Sequence, residues 1–423
     1  MKTSTAAFWI SISAAFLLSA SPQAVAGEKV IYSLCSQADC ADGQYPWAGV
    51  LRVKDKLYTA TSTGGIGNQG TLVGVDIKTG IATVVSGSLA NQALAAPIHV
   101  SGKLYGTSSE GGTGDEGNGA GTIYAWSAKK GKVEIAYSFC GQSNCTDGAS
   151  PRGRLLELNG LFYGTTLVGG GPSSCQGPYP GCGTVFSFDP ATGAENVVYA
   201  FCAKKFCDDG SKPFGDLIAV GGILYGTTFA GGNGNGCSDT GQGCGTVFAL
   251  DLATGTETVL HTFAGEAADG GAPEAGLVAL NGLLYGTTSL GGSSTPCGND
   301  IGCGTVFSID PASGEEKILH VFKNTPTDGQ TPTGDLVVLK GKLYGTTRAG
   351  GVNGYGTVFS LNPVNHKETI VYSFCSVTRC NDGAAPYAGL IAEGGKLYGT
   401  TEAGGTGDPN FAIGGGTVFA ITP

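Results

Sequence analysis

Apolar and polar side chains alternate in short runs along this chain, and the runs return in a fixed order. Residues 335–339 form a short apolar run, Lys340-Gly341 a turn, and 342–347 an alternating run. Gly350-Gly351 opens a glycine-rich loop, 356–361 (GTVFSL) alternate again, 362–367 make a turn, and 368–374 form a fourth run. A period of two bounded by turn residues is the pattern of a strand. The unit therefore predicts a meander of four antiparallel strands, A to D. Asn159-Gly160 and Asn281-Gly282 in the first turn suit the type I′ turn of a tight hairpin. No stretch after residue 26 shows a convincing helical period.

The order repeats. A Leu/Phe-Tyr-Gly-Thr signature returns with its tyrosine at Tyr58, Tyr105, Tyr163, Tyr225, Tyr285, Tyr344 and Tyr398, at spacings of 47, 58, 62, 60, 59 and 54 residues. Tyr58 departs by carrying Thr59 in place of the glycine. Seven units consume the chain from residue 27 onward, which predicts one domain over 27–423. A lone four-stranded sheet leaves both faces wet, whereas seven bury their faces by packing radially. The pattern predicts an all-β fold, a seven-bladed β-propeller of four-stranded antiparallel blades. Residues 30–34 (VIYSL) are a fourth-type strand with no unit before it, and 417–422 a third-type strand with none after it. Pairing them lets the N-terminal strand close the last blade and leaves no open edge. An open solenoid would use shorter rungs and would not need this offset.

Composition narrows the class. Glycine supplies 75 of 423 residues, yet no Gly-X-Y period is present, and 41% of residues are hydrophobic, enough for a core. A net charge of −10 speaks against nucleic-acid binding through a basic surface. Lys2, an apolar stretch over 6–18 and Ala24-Val25-Ala26 give residues 1–26 the layout of a signal peptide. That apolar run is too short to span a bilayer and no later run is long enough, so no membrane span is expected once the signal is removed.

All 14 cysteines follow the signal, in seven close couples: Cys35/Cys40, Cys140/Cys145, Cys175/Cys182, Cys202/Cys207, Cys237/Cys244, Cys297/Cys303 and Cys375/Cys380. In a secreted chain such couples predict disulfides. C-x-x-C pairs, the zinc alternative, are absent. In a meander the B–C and D–A connections emerge on one face, and every couple falls in one of these fourteen loops. Seven loops hold two cysteines and seven hold none, as expected if each pair closes its own loop. Shaped, variable loops on a rigid scaffold are where binding usually lives, so this face is the expected functional one.

Candidate chemistry there is sparse. All D–A loops but the one entering blade two carry Asp-Gly, two further residues and then Pro, at Asp42, Asp147, Asp209, Asp269, Asp328 and Asp382. Calcium is the cofactor these carboxylates bring to mind, but each loop offers little more than one, so an Asx-type turn is the expected role. The Thr pair after each Tyr-Gly reads as satisfying backbone groups at a strand end. Position-specific differences make better site candidates. Arg348, Glu402 and Glu110, just before or beside the Gly-Gly of their blades, form a candidate ligand-binding patch, with a merely solvated surface as the plainer alternative. His261 and His320 fall on strand D where other blades have Tyr137, Tyr199 and Tyr372, and read as packing substitutions. No histidine sits as a Ser-His-Asp arrangement would need, and neither G-x-S-x-G nor H-E-x-x-H occurs.

The units, such as GKLYGTTRAGGVNGYGTVFSLNP with ETIVYSFC and NDGAAPYAGL, resemble the GloVer tandem repeats, named for Gloeobacter and Verrucomicrobia, over essentially the whole chain after the signal. That resemblance implies an extracytoplasmic repeat protein and brings no established catalytic residues. The Gly-Gly after strand B and the Asp-Pro turn after strand C are similar to kelch repeats, and residues 249–257 to quinoprotein propeller repeats. The latter carry a tryptophan after the turn; here only Trp47 and Trp126 follow the signal, so no quinone, and no resident cofactor, is expected.

These readings lead to an expectation: a secreted or periplasmic, disulfide-stapled, monomeric module that binds an extracellular polysaccharide or a surface protein. The alternative is a polysaccharide-active lyase or glycoside hydrolase that uses a carboxylate pair on the loop-rich face.

Overall fold

The computed structural model describes residues 27–423 apart from 90–91, 115–118, 172–174, 176–178, 233–242, 266–268, 294–295, 298–299, 324 and 407–413. The expected signal peptide and Cys237 lie outside the described residues.

Each unit folds into four antiparallel strands, A to D from the centre outward. In the sixth blade these are Val337–Leu339, Lys342–Thr347, Thr357–Leu361 and Glu368–Ser373. Seven such sheets form the ring. In blades three and four, short entry strands, Ala149–Pro151 and Ser211–Pro213, also pair with the far end of strand B. Blade seven takes A to C from Ile391–Glu393, Lys396–Thr401 and Thr417–Thr422, and its outer strand is Gly27–Ser33. Gly27 lies opposite Thr422 and Ser33 opposite Thr417, so the N-terminal strand closes the last blade as the offset predicts. Asn159 (φ 54°) and Gly160 (φ 84°) are both left-handed, as a type I′ turn requires.

The signature residues have steric reasons. Gly164 pairs with Phe186 of strand C, and a Cβ there would sit 2.6 Å from the phenylalanine ring. Gly226, Gly286 and Gly345 meet Phe248, Phe307 and Phe359 in the same way. Blade one shows the converse. Thr59 replaces the glycine and its partner is Val73, so where the slot is lost the ring is lost too.

Those strand-C rings also hold the blades together. Each packs edge-on against a phenylalanine at the end of strand D in the preceding blade. Phe139–Phe186, Phe201–Phe248, Phe263–Phe307, Phe322–Phe359 and Phe374–Phe419 all lie 5.0–5.2 Å apart between centroids. All are buried, and such edge-to-face pairs add about 0.5–1.5 kcal/mol each beyond their area. At the ring closure Leu34 and Val73 take these places.

The outer wall carries a second repeated device. The Asp-Gly carboxylates are buried and act as loop staples. Asp42 accepts from the backbone N–H groups of Ser36 (3.0 Å) and Gln37 (3.1 Å) and from the Tyr32 hydroxyl (2.7 Å). Asp147, Asp209 and Asp382 repeat this with Tyr137, Tyr199 and Tyr372, each at 2.8 Å. The turn role expected for these aspartates is thus what their hydrogen bonds describe. Opposite Asp147, Asp209 and Asp382 sits a glutamate from the next blade's strand D: Glu195, Glu257 and Glu28. Burial, then the neighbouring aspartate, pushes Glu195 and Glu28 up to about 7.

Six cysteine couples are bonded as expected: Cys35–Cys40, Cys140–Cys145, Cys175–Cys182, Cys202–Cys207, Cys297–Cys303 and Cys375–Cys380. Cys244 is disulfide-bonded as well, and no described cysteine is free. The loops do share one face. The carbonyls of Cys40, Cys145, Cys207 and Cys380 accept from Gly65, Gly170, Gly232 and Gly405 of the adjoining B–C loops.

Candidate functional site

Each D–A loop ends in a segment that turns down into the channel before strand A begins. Two positions in it face the cavity, separated by one that is always alanine or glycine. The spacer is Ala48, Ala95, Gly153, Gly215, Ala275, Gly334 and Ala388 around the ring. Small residues are needed because the segments crowd together at the axis. A Cβ on Gly215 would lie 2.4 Å from the backbone carbon of Ala275, and one on Gly334 2.5 Å from that of Ala388. Threonines of the preceding blade hold these segments in place. Thr107, Thr227, Thr346 and Thr400 donate to the carbonyls of Gly153, Ala275, Ala388 and Ala48 at 2.8–3.1 Å. The second threonine of each pair bonds a strand-C threonine instead, as Thr228 does with Thr246 at 2.9 Å. The backbone role expected for the Thr pairs is therefore split between the channel wall and the sheet.

The cavity enclosed by the seven segments has a volume of about 400 Å³. Its upper rim is the residue before the small spacer: Trp47, Leu94, Arg152, Phe214, Glu274, Thr333 and Tyr387, no two alike. They form contacts across blades. Trp47 stacks on Tyr387 at 5.4 Å and 27°. The Tyr387 hydroxyl donates to Glu274 Oε2 at 2.8 Å, and the Thr333 hydroxyl to the Tyr387 carbonyl at 2.8 Å. Arg152 lies over the Phe214 ring at 4.9 Å. Its guanidinium forms no described hydrogen bond, and its buried Nε has no partner. Desolvation pushes the Glu274 carboxyl above its ordinary value, against the lowering effects of Tyr387, Ser289, Arg348 and Arg152. Desolvation also lowers Arg152, which Tyr387, Glu274 and Glu110 counteract. The rim thus offers aromatic faces, a carboxyl and a cation with unused donors.

One level down, the second position is Gly49, Ala96, Arg154, Asp216, Gly276, Asp335 and Gly389, and all but Gly276 line the cavity. Arg154 Nε meets Asp216 Oδ2 at 3.1 Å, and the Arg154 amide donates to Asp216 Oδ1 at 2.6 Å. Asp335 accepts from the Gly276 amide at 2.6 Å. Burial, then the adjoining Asp216, drives the Asp335 carboxyl well above its ordinary value. Below it the channel wall is apolar, with Ile218, Val278, Val337 and Ile391.

Two of the patch residues expected from the sequence come together beside this rim. Arg348 Nη2 pairs with Glu402 Oε2 at 3.2 Å, and the guanidinium lies 5.6 Å from the Tyr387 ring centre. Glu110 is not in that pair; it accepts from Gln92 at 2.6 Å and acts on Arg152. The sequence reasoning sought divergence in the B–C loops and passed over the rim. The residue after the D–A proline in six of the loops would have revealed it, because Trp, Arg, Phe, Glu, Thr and Tyr occupy one position of an otherwise regular motif.

The Gloeobacter/Verrucomicrobia repeat matches the chain twice, over residues 23–238 and 235–423. No curated protein matches the sequence. Among solved structures, an oligogalacturonate lyase in complex with manganese is 11% identical with a TM-score of 0.48, covering 87% of this chain and 86% of its own. A chain of a nidogen/laminin complex is 14% identical with a TM-score of 0.40, covering 76% and 90%. TolB from Acinetobacter baumannii is 16% identical with a TM-score of 0.39, covering 71% and 59%.

Proposed function

The chain belongs to the Gloeobacter/Verrucomicrobia repeat family, and we propose that it is an extracytoplasmic binding module that takes a saccharide unit of an extracellular polysaccharide at the channel mouth. One observation carries this reading. The repeat keeps its strands and its Ala/Gly spacers, yet carries a different side chain in every blade at the position whose seven copies ring the cavity mouth. Packing of the ring does not require a different side chain in every blade at this position.

The chemistry of the rim suits a sugar. Aromatic faces of Trp47, Phe214 and Tyr387 supply apolar area, and Arg152 and Glu274 supply oriented polar groups, the usual composition of a ligand pocket. The unused donors of Arg152 favour sugars bearing a carboxylate, which a planar guanidinium recognises through two parallel hydrogen bonds. Disulfides in most of the units fit an oxidising compartment, secreted or periplasmic. Among the described residues no helix is long and apolar enough to cross a membrane.

The enzyme reading has its own observation, the Asp216–Asp335 pair. Glycoside hydrolysis separates its two carboxyls by about 5–5.5 Å or about 6.5–9.5 Å, whereas these two are direct neighbours, close enough for Asp216 to act on the acidity of Asp335. Both also brace the entry segments of neighbouring blades, Asp216 by accepting from the Arg154 amide and Asp335 from that of Gly276. Binding is therefore the better-supported reading.

The test is a screen of the oxidised protein against neutral and acidic polysaccharides, with product analysis of each hit. Binding without new reducing ends or unsaturated products, lost in Trp47→Ala and weakened at least tenfold in Arg152→Ala, is the expected result. Turnover of any hit that Asp335→Asn abolishes would replace the binding reading with the enzyme. Unchanged binding in both rim variants would move the site elsewhere.

A further inference from the structure

The outer-wall staple is not the same all the way round. Four D–A loops carry a disulfide, and in all four the strand-D residue facing the loop aspartate is a tyrosine: Tyr32, Tyr137, Tyr199 and Tyr372. The two Asp-Gly loops without cysteines, which carry Asp269 and Asp328, have His261 and His320 there instead. The loss of the disulfide and the exchange of phenol for imidazole go together both times.

The exchange changes what the three facing groups can do. In two of the tyrosine blades the hydroxyl reaches across to both carboxylates; Tyr137 lies 2.8 Å from Asp147 and 3.3 Å from Glu195, and Tyr199 2.8 Å from Asp209 and 3.5 Å from Glu257. Imidazole is shorter, so its Nε2 draws back and leaves room between itself and the two carboxylates. His261 Nε2 is 3.4 Å from Asp269 Oδ2, and His320 Nε2 is 3.2 Å from Asp328 Oδ1. Glu316 and Glu368, from strand D of the next blade, complete the groups, with ligand atoms all within 4.8 Å of one another. Oε1 of each glutamate is buried without a hydrogen-bond partner, as it is in Glu28, Glu195 and Glu257 of the tyrosine blades; at the first histidine site His261 Nε2 is without one as well. The aspartates remain fixed by the amides of Ala264 and Gly270 (2.8 and 2.7 Å) or Lys323 and Gly329 (3.1 and 2.8 Å). One imidazole and two carboxylates make a donor set for a borderline divalent ion such as Zn²⁺. Its charge would also neutralise two carboxylates held side by side away from water.

We propose that His261/Asp269/Glu316 and His320/Asp328/Glu368 are two binding sites for a first-row divalent metal ion, which staples these loops and joins blade four to five and five to six where the other loops use a disulfide. A small inward closure of the side chains brings the atoms to bonding distance. The sites lie on the outer wall and are independent of the channel mouth.

The test uses the protein after chelator treatment, titrated with ZnCl₂ by calorimetry and followed by thermal unfolding. Two ions per chain and a rise in melting temperature are expected. The control variant is His261→Tyr/His320→Tyr, which installs the residue that four sibling sites already carry and so retains the fold. It should lose both ions and the zinc-dependent rise, and Glu316→Gln alone should lose one ion. Cobalt(II) should give a visible spectrum of mixed nitrogen and oxygen ligation in the original protein only. Zinc uptake equal in the original and the double tyrosine variant would overturn the assignment, as would the absence of uptake in both.

Discussion

The wall between blades and the rim of the channel are made by the same repeat, yet they obey opposite rules. Across the wall, one edge-to-face phenylalanine contact recurs five times within 0.2 Å, from 5.0 to 5.2 Å. Around the rim, the same seven units present seven different side chains. The wall is selected by packing, where an ill-fitting volume costs stability at once. The rim is held by backbone contacts to Ala and Gly spacers, so its side chains are free to differ without disturbing the ring. The difference separates what this fold needs from what it carries.

The sharpest way to break that comparison is to exchange the consequences. Phe307 is fully buried between Phe263 of the preceding blade and the slot left by Gly286. Phe307→Ala should cost about 3–5 kcal/mol, read as a large fall in the denaturant midpoint, with sugar binding retained below the transition. Trp47→Ala should do the reverse, abolishing binding with a far smaller fall in the midpoint. If Trp47→Ala proves as destabilising as Phe307→Ala, the rim is part of the structural wall and the contrast collapses.

How much of this was legible beforehand follows the same division. Blade number, strand order and closure by the N-terminal strand, read at residues 30–34 and found at 27–33, were legible because alternation and turn chemistry repeat, and repetition makes weak local signals add. The cysteine couples were legible because each closes its own loop. The meaning of Thr59 was not, since its partner Val73 becomes apparent only once the register is known. The rim was missed for a related reason. Its residues are separated by whole blades in sequence, and only the ring brings Glu274 to Tyr387, 113 residues away. The Asp216–Asp335 contact likewise joins residues of two non-adjacent blades, and nothing local in either segment announces it.

A smaller effect is expected from the loop staples. Opening Cys375–Cys380 by a double serine substitution releases a link of sequence separation 5, which on the loop-entropy account is worth about 2 kcal/mol. The Asp382 hydrogen bonds to Ser376, Val377 and Tyr372 remain. The loop should therefore loosen locally, seen as faster amide exchange over 375–383, while the blade stays folded. Global unfolding of this variant would mean that the rim-bearing face is no independent layer on the ring.

The finest distinction lies in the wall's glutamates. Glu195 is raised from 4.5 to about 7, first by burial and then by the charge of Asp147. The folded protein then holds the Glu195 proton more tightly than the unfolded chain does. By linkage that contribution to stability is complete below about 4.5 and is lost as pH rises toward and past 7. Glu28, facing Asp382 at the ring closure, has the same direction and the same causes. Melting temperatures of the original protein and of Glu195→Gln, measured from pH 5 to pH 8, should therefore diverge, the original losing more as the pH rises. Glutamine keeps the shape and carries no titrating proton, so the slope of the difference belongs to this carboxyl alone. Parallel curves would show that Glu195 keeps its ordinary acidity and that the wall, for all its burial, admits water between the blades.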